Sequence, residues 1–196
     1  MKRTVTLLAC STLPSFLATS CSTSIKGPIA GITQAKASAT EITRNSRLAL
    51  RSLYNKSPKA RQLGMRAKGI IVFPKIVKAG FGVGLQGGNG TLFLADGSRR
   101  YYQSTAVSYG LQAGIQKFSY ALFLIDDTAV KQLDSSMGWE LGSSPSLVIV
   151  NAGMSKSLST TSIRKGSYAF MFKQFGLMAD AGLQGAKITQ INPGKD

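Results

Sequence analysis

Ile70-Ile71-Val72-Phe73 is an apolar run of strand length that ends at Pro74, and the residues after it decide the fold. Phe81, Val83 and Leu85 alternate with Gly80, Gly82 and Gly84, the two-residue period of a strand. Gly87-Gly88-Asn89-Gly90 then reads as a turn, Thr91 to Ala95 as a returning strand, and Asp96-Gly97 as a hairpin connection. The same interleaving of glycine with apolar residues returns at Gly110 to Gln116 and at Ala181 to Gly185. Glycine weakens a strand unless close packing or sharp curvature requires it. Three such stretches therefore predict a strongly bent, barrel-like sheet.

Outward from this core, further strands are predicted at Tyr101–Gln103, Ser108–Gln116, Ser119–Ile125, Trp139–Gly142, Leu147–Val150, Tyr168–Phe172, Met178–Gln184 and Lys187–Ile191. Asp127 to Ser136 reads as one short helix, with Asp127 as its cap. Upstream the period changes. Ala35, Ala39, Ile42, Ser46, Ala49 and Leu53 recur at three- and four-residue spacing, predicting a helix over Thr33–Asn55. Its other face carries Lys36, Arg44, Arg47 and Arg51, with Glu41 the only acid. Ser57-Pro58 starts a second helix running to about Ala67. The fold class is α+β: a large, curved, mostly antiparallel, Gly-rich sheet with N-terminal amphipathic helices. Such helices either pack on the sheet or lie on a membrane surface.

The composition excludes several chemistries. The chain has 196 residues, 43% of them hydrophobic, enough for one domain with a real core. It has no histidine, so it holds no Ser-His-Asp triad and no imidazole base or ligand. Its two cysteines, Cys10 and Cys21, lie near the start, and the body holds neither a thiolate zinc site nor a disulfide framework. Gly82-Val83-Gly84-Leu85-Gln86-Gly87 spells the dinucleotide fingerprint, but a strand follows it instead of the helix that a pyrophosphate requires. Ser162-Ile163-Arg164-Lys165 matches the Ser-x-x-Lys of penicillin-recognising enzymes without their Lys-Thr-Gly strand. Asp126 and Asp127 are adjacent and, on a strand, point to opposite faces. The expectation is a protein without catalytic activity and without a cofactor or metal.

The first residues read as an address. Met1-Lys2-Arg3, a short interrupted apolar stretch and Ala18-Thr19-Ser20 form a secretory signal peptide over residues 1–20. Cys21 follows directly and resembles the lipobox cysteine of bacterial lipoproteins, which would carry a covalent lipid anchor; ordinary cleavage leaving a free thiol is the other reading. Leu7-Leu8-Ala9-Cys10 also fits the lipobox letters but leaves too short an apolar region for export. Residues 21–32 are then a tether and 33–196 the folded domain. Removing residues 1–20 takes Lys2 and Arg3 with it, so a formal charge of +16 becomes +14. An exported basic protein meets anionic phospholipid or cell-wall polymer rather than nucleic acid, or keeps a solvated basic surface with no specific partner.

Ala67-Lys68-Gly69-Ile70-Ile71-Val72-Phe73-Pro74-Lys75-Ile76-Val77-Lys78-Ala79-Gly80-Phe81-Gly82-Val83-Gly84 resembles the opening signature of the SYLF, or Ysc84-type, domain. Tyr109 to Gly114, Gly138 to Gly142 and Gly176 to Thr189 resemble later elements of the same family, in order, so the resemblance spans residues 33–191. It implies lipid binding, since eukaryotic relatives bind phosphoinositides and yeast members also bind actin and its regulators. Bacterial relatives are commonly exported lipoproteins. The transferable part is recognition of anionic phospholipid head groups. Lys68, Lys75 and Lys78 lie inside the matching signature, and Arg99 and Arg100 just beyond the hairpin turn, as lysine point charges and arginine forks for phosphate. By resemblance to enterobacterial lipoproteins, Ser22 after Cys21 sends the protein to the outer membrane, facing the periplasm. The alternative is an envelope scaffold or protein-interaction module that the acyl anchor merely holds in place.

Overall fold

The computed structural model describes residues 37–133, 139–140, 147–150, 166–176 and 186–194, with the backbone alone at 109–112, 139–140 and 147–150. Helix α1 (Ala39–Lys56) starts where Ser38, in extended conformation, accepts the Glu41 N–H at 3.2 Å, with Glu41 in the first turn and Lys56 in the last. Ser57 ends α1 and caps α2 (Pro58–Gly64), accepting the Ala60 N–H at 3.2 Å with Pro58 at the first helical position. The predicted stripe is the buried one: Ile42, Ser46, Ala49 and Leu53 face the sheet, joined by Thr43. Lys36 and the predicted turns before Ala37 lie outside the described residues. None of the described helices is long and apolar enough to cross a membrane.

The sheet is built on one doubled hairpin. Strands β1 (Gly69–Leu94) and β2 (Arg99–Leu124) are 26 residues each and pair antiparallel from Gly69↔Leu124 to Phe93↔Arg99. The several short strands predicted on each arm are therefore single strands. Gly87 to Gly90 is no turn; it pairs with Tyr102 to Thr105 in mid-ladder. Its glycines serve close approach. A Cβ at Gly90 would sit 2.5 Å from the Val72 carbonyl oxygen and 2.7 Å from the Phe73 ring, and one at Gly88 would overlap the Lys75 carbonyl. The two halves of β1 thus lie against each other, and the Ala95 N–H donates to the Lys68 carbonyl at 3.0 Å where they meet again.

The fold-over has a visible corner. The register moves from Phe81↔Ala113 to Val83↔Tyr109, so Gly82 alone on the inner arm opposes residues 110–112 on the outer one. Gly82 takes φ of 69°, open to glycine at no steric cost. A second shift, between Phe73 and Ile76, accommodates Pro74, whose carbonyl accepts the Ser119 hydroxyl at 2.7 Å.

Strand β5 (Ser167–Gly176) pairs with the C-terminal half of β2 and β6 (Lys187–Ile191) with its N-terminal half. Strand β4 (Leu147–Val150) lies parallel to β5, and β3 (Trp139–Glu140) antiparallel to β6. The order β3-β6-β2-β5-β4, with β1 on β2, gives the expected α+β, mostly antiparallel sheet. The barrel-like expectation is corrected: the sheet is not closed, and no ladder among the described residues joins β3 to β4. Closure requires curvature shared around all strands. Here it is concentrated at one corner, so the sheet folds over instead of curling into a cylinder. The strand predicted at Met178–Gln184 lies outside the described residues.

Between the folded halves lie Ile71, Phe73, Ile76, Leu92, Tyr102, Phe118, Tyr120, Leu122 and Ile188, with Phe73 stacked on Tyr120 at 4.6 Å. On the other face, Val72, Ala121, Phe123 and Phe170 receive Ala49 and Leu53 of α1 and Ala60 and Leu63 of α2. That settles where the apolar stripe goes: onto the sheet. Helix α3 (Asp127–Leu133) is capped by Asp126 rather than Asp127. One Asp126 carboxylate oxygen accepts the Ala129 N–H and the other the Gly166 N–H, both at 2.8 Å.

If the crossing at Gly90 fixes the fold, Gly90→Ala lowers stability by about 2 kcal/mol or more, because backbone and a packed ring must both yield. Gly194→Ala, where a Cβ meets nothing within 4 Å, stays within about 0.5 kcal/mol of the parent. Urea unfolding of both variants, compared at unchanged m-value, checks the difference.

Candidate functional site

Helix α1 sits across the two halves of β1 and is pinned there by polar contacts. The Ser46 hydroxyl, fully buried, donates to the Val72 carbonyl at 3.1 Å. Three residues earlier, the Thr43 and Tyr101 hydroxyls share a hydrogen bond of 3.1 Å, tying α1 to the start of β2. With that face fixed, Thr40, Arg44, Arg47 and Arg51, at i, i+4, i+7 and i+11, are turned away from the buried stripe.

Two grooves form along this basic face. The larger, about 530 Å³, lies between α1 and β2 and is lined by Arg44, Arg47, Arg51 and Arg99, with Thr40, Thr43, Leu48 and Tyr101. The smaller, about 270 Å³, shares Arg47 and Arg51 and adds Arg61 of α2, with Tyr54 and Phe93 on its walls. Among the described residues, five arginines line the pair of grooves and no carboxylate does. Tyr54 reports the local field. Its partial burial pushes the phenol pKa up, and the Arg61 charge opposes that rise. Arginine forks beside hydroxyl donors, on a partly apolar floor, suit phosphate or carboxylate groups.

The residues expected from sequence do not form one site. Arg99 joins the α1 arginines in the larger groove. Arg100, next in the chain, has Asp96 nearby, a carboxylate held below its usual range first by hydrogen bonds from Ser98 and to a lesser degree by the Arg100 charge. Lys68 is exposed before β1, beside the hairpin end, and Lys75 is exposed at the Pro74 irregularity. Seven residues of strand separate them, roughly 20 Å. Lys75 lines a different cleft with Glu41, Asn89 and Lys173. Lys78 is corrected outright. It is 3% exposed, pairs in register with buried Gln116, and shares the inward face of Ile76, so it cannot meet a bilayer. Cys21 lies outside the described residues.

Sequence reasoning reached the basic face of α1 but not its role. The spacing of Arg44, Arg47 and Arg51 was legible; that the start of β2 would bring Arg99 against them depends on the fold-over. Arg61 was hidden in a helix too short for a pattern.

The Thr43–Tyr101 contact should be an energetic unit. A double-mutant cycle of Thr43→Val and Tyr101→Phe gives a coupling of about 1 kcal/mol in unfolding free energy. Additive effects would show that the contact does not hold α1 in place.

Residues 105–193 match the family model described as Ysc84, Las17-binding protein actin regulator. No curated protein matches the chain. The match takes in β2 from Thr105 through β6, while the signature-like run of residues 67–84 precedes it. Over these residues the chain is similar to the Ysc84, or SYLF, domain family that its sequence resembles.

Proposed function

We propose that this domain binds anionic phospholipid head groups at a membrane surface through the arginine grooves, and that it does so without catalysing a reaction. The observation that carries the reading is the set of five arginines lining two adjoining grooves, with no carboxylate among the described residues there. Lipid binding is also what the family resemblance implies. Each basic residue near an anionic surface contributes about 1 kcal/mol, so the cluster supplies a useful but salt-sensitive attraction. Stable attachment takes a second signal. An acyl chain on Cys21 of an exported lipoprotein, held at the outer membrane and facing the periplasm, would provide it.

The test is co-flotation of the Cys21→Ser chain, which lacks the acyl site, with zwitterionic and anionic vesicles. Retention is expected on anionic vesicles only, falling as salt rises. Combining Arg44→Glu, Arg47→Glu and Arg99→Glu should weaken it on the order of 100-fold, whereas Lys68→Glu, outside both grooves, should cost about tenfold or less. Equal retention of the triple variant and the parent would sink the assignment to the grooves.

A further inference from the structure

The corner of the doubled hairpin carries the surface that the arginine grooves leave unexplained. Phe81 is 89% exposed, Phe175 69%, Ile115 60%, Val107 54% and Val83 50%. The ladder gathers them. Phe81 pairs with Ala113, Ile115 is two residues on, and Lys117, two further, pairs with Phe175. Val83 and Val107 continue the surface across the Gly82 corner. Single exposed apolar side chains need no explanation, but five that adjoin at one end of a sheet mark a contact surface.

Charge decides which contact. Strands β1, β2 and β5 contain no Asp or Glu at all. Lys117 and Lys173, both exposed, flank Phe175. Among the described residues the charges flanking Phe175 are Lys117 and Lys173, with Glu41 the one acid in the cleft that Lys173 lines. So cationic an edge around an apolar surface suits a partner that is apolar inside and anionic at its boundary, which describes a phospholipid bilayer. A second copy would set lysines against lysines. The chain also enters the fold on this side, because Ala37 lines the same cleft as Lys75 and Lys173. Fifteen residues lie between Cys21 and Ala37, which bounds the distance between them at about 50 Å.

We propose that this corner is a membrane-insertion tip: Phe81, Val83, Val107, Ile115 and Phe175 enter the interfacial layer of an anionic bilayer, with Lys117 and Lys173 at the level of the phosphates. The inference rests on the membrane reading above and names a contact separate from the grooves. Val107 stands eight strand residues from Arg99, roughly 26 Å, so the two surfaces can be altered independently.

The experiment uses the full chain with Cys10→Ser and Cys21→Ser, carrying one new cysteine labelled with an environment-sensitive fluorophore. The label is placed at the tip (Phe81→Cys) or, as a control, on exposed Thr128 of α3, beyond the C-terminal end of β2 (Thr128→Cys). Vesicles containing phosphatidylglycerol should blue-shift the Phe81 label and bring it within reach of shallow doxyl-lipid quenchers, leaving the Thr128 label unchanged. In parallel, Phe81→Ser with Phe175→Ser should weaken flotation on the order of tenfold or more without changing its salt slope, because apolar burial is lost and charge is not. Flotation with the Phe81 label still in water would overturn the tip and leave the membrane reading intact. No flotation of the parent under any condition would overturn both. A label already buried without vesicles, or a dimer abolished by Phe81→Ser, would assign the surface to the chain itself or to a second copy and overturn the proposal.

Discussion

The close crossing of β1 over itself is the constraint on which the remaining structure depends. Two strands of 26 residues cannot remain one flat ribbon in a domain of this size. They double over, and the halves come together at the Val72–Lys75 backbone against Gly88 and Gly90. A side chain at either glycine would hold the halves apart and open the interior packed around Phe73, Tyr102 and Tyr120. Backbone-to-backbone approach of this kind costs a glycine's conformational entropy in the unfolded chain. What offsets it is the apolar surface closed between the halves.

The crossing also places α1. Folding β1 back brings its two arms to a common seam, and α1 lies across it, with Ser46 bonded to Val72 in one arm while Thr43 reaches Tyr101 on the strand paired with the other. A helix held at both arms has little freedom to roll. The basic face opposite its buried stripe therefore has a fixed relation to Arg99, and the larger groove follows from the seam rather than from any property of α1 alone. Arg99 and Arg100 show how local that outcome is. Neighbours in a strand point to opposite faces, so one enters the groove and the other does not.

Much of the fold could be read from local pattern. The helix starts at Ser38 and Ser57 follow from capping chemistry, and β4 and β6 from short apolar or alternating runs with clear ends. The middle of β1 could not. Gly87-Gly88-Asn89-Gly90 has turn composition, and only a contact with Val72 and Lys75, fifteen or so residues away in the chain, makes it strand. Lys78 failed for a related reason. It is a candidate by its place inside the signature-like run, yet the irregularity at Pro74 resets the alternation and turns Lys78 to the same side as Ile76. Phe81 and Phe175 fit a core by residue type, and the corner that exposes them is a property of the whole hairpin.

The distribution of charge links the fold to its proposed use. A folded domain with this excess of basic residues repels itself, and the usual remedy is to intersperse acids. This chain instead keeps its acids off β1, β2 and β5 and places Asp96 and Asp126 where they do structural work, one closing the hairpin turn through Ser98 and the other capping α3 while holding Gly166. The positive field over the grooves and the corner is left unbalanced by those carboxylates. Such a surface gains free energy when an anionic boundary neutralises it, and it loses that gain as salt screens the attraction. Apolar contact at the corner is indifferent to salt. A domain with both surfaces would approach a bilayer by charge and stay by burial, and the two contributions separate along the same doubled hairpin that creates them.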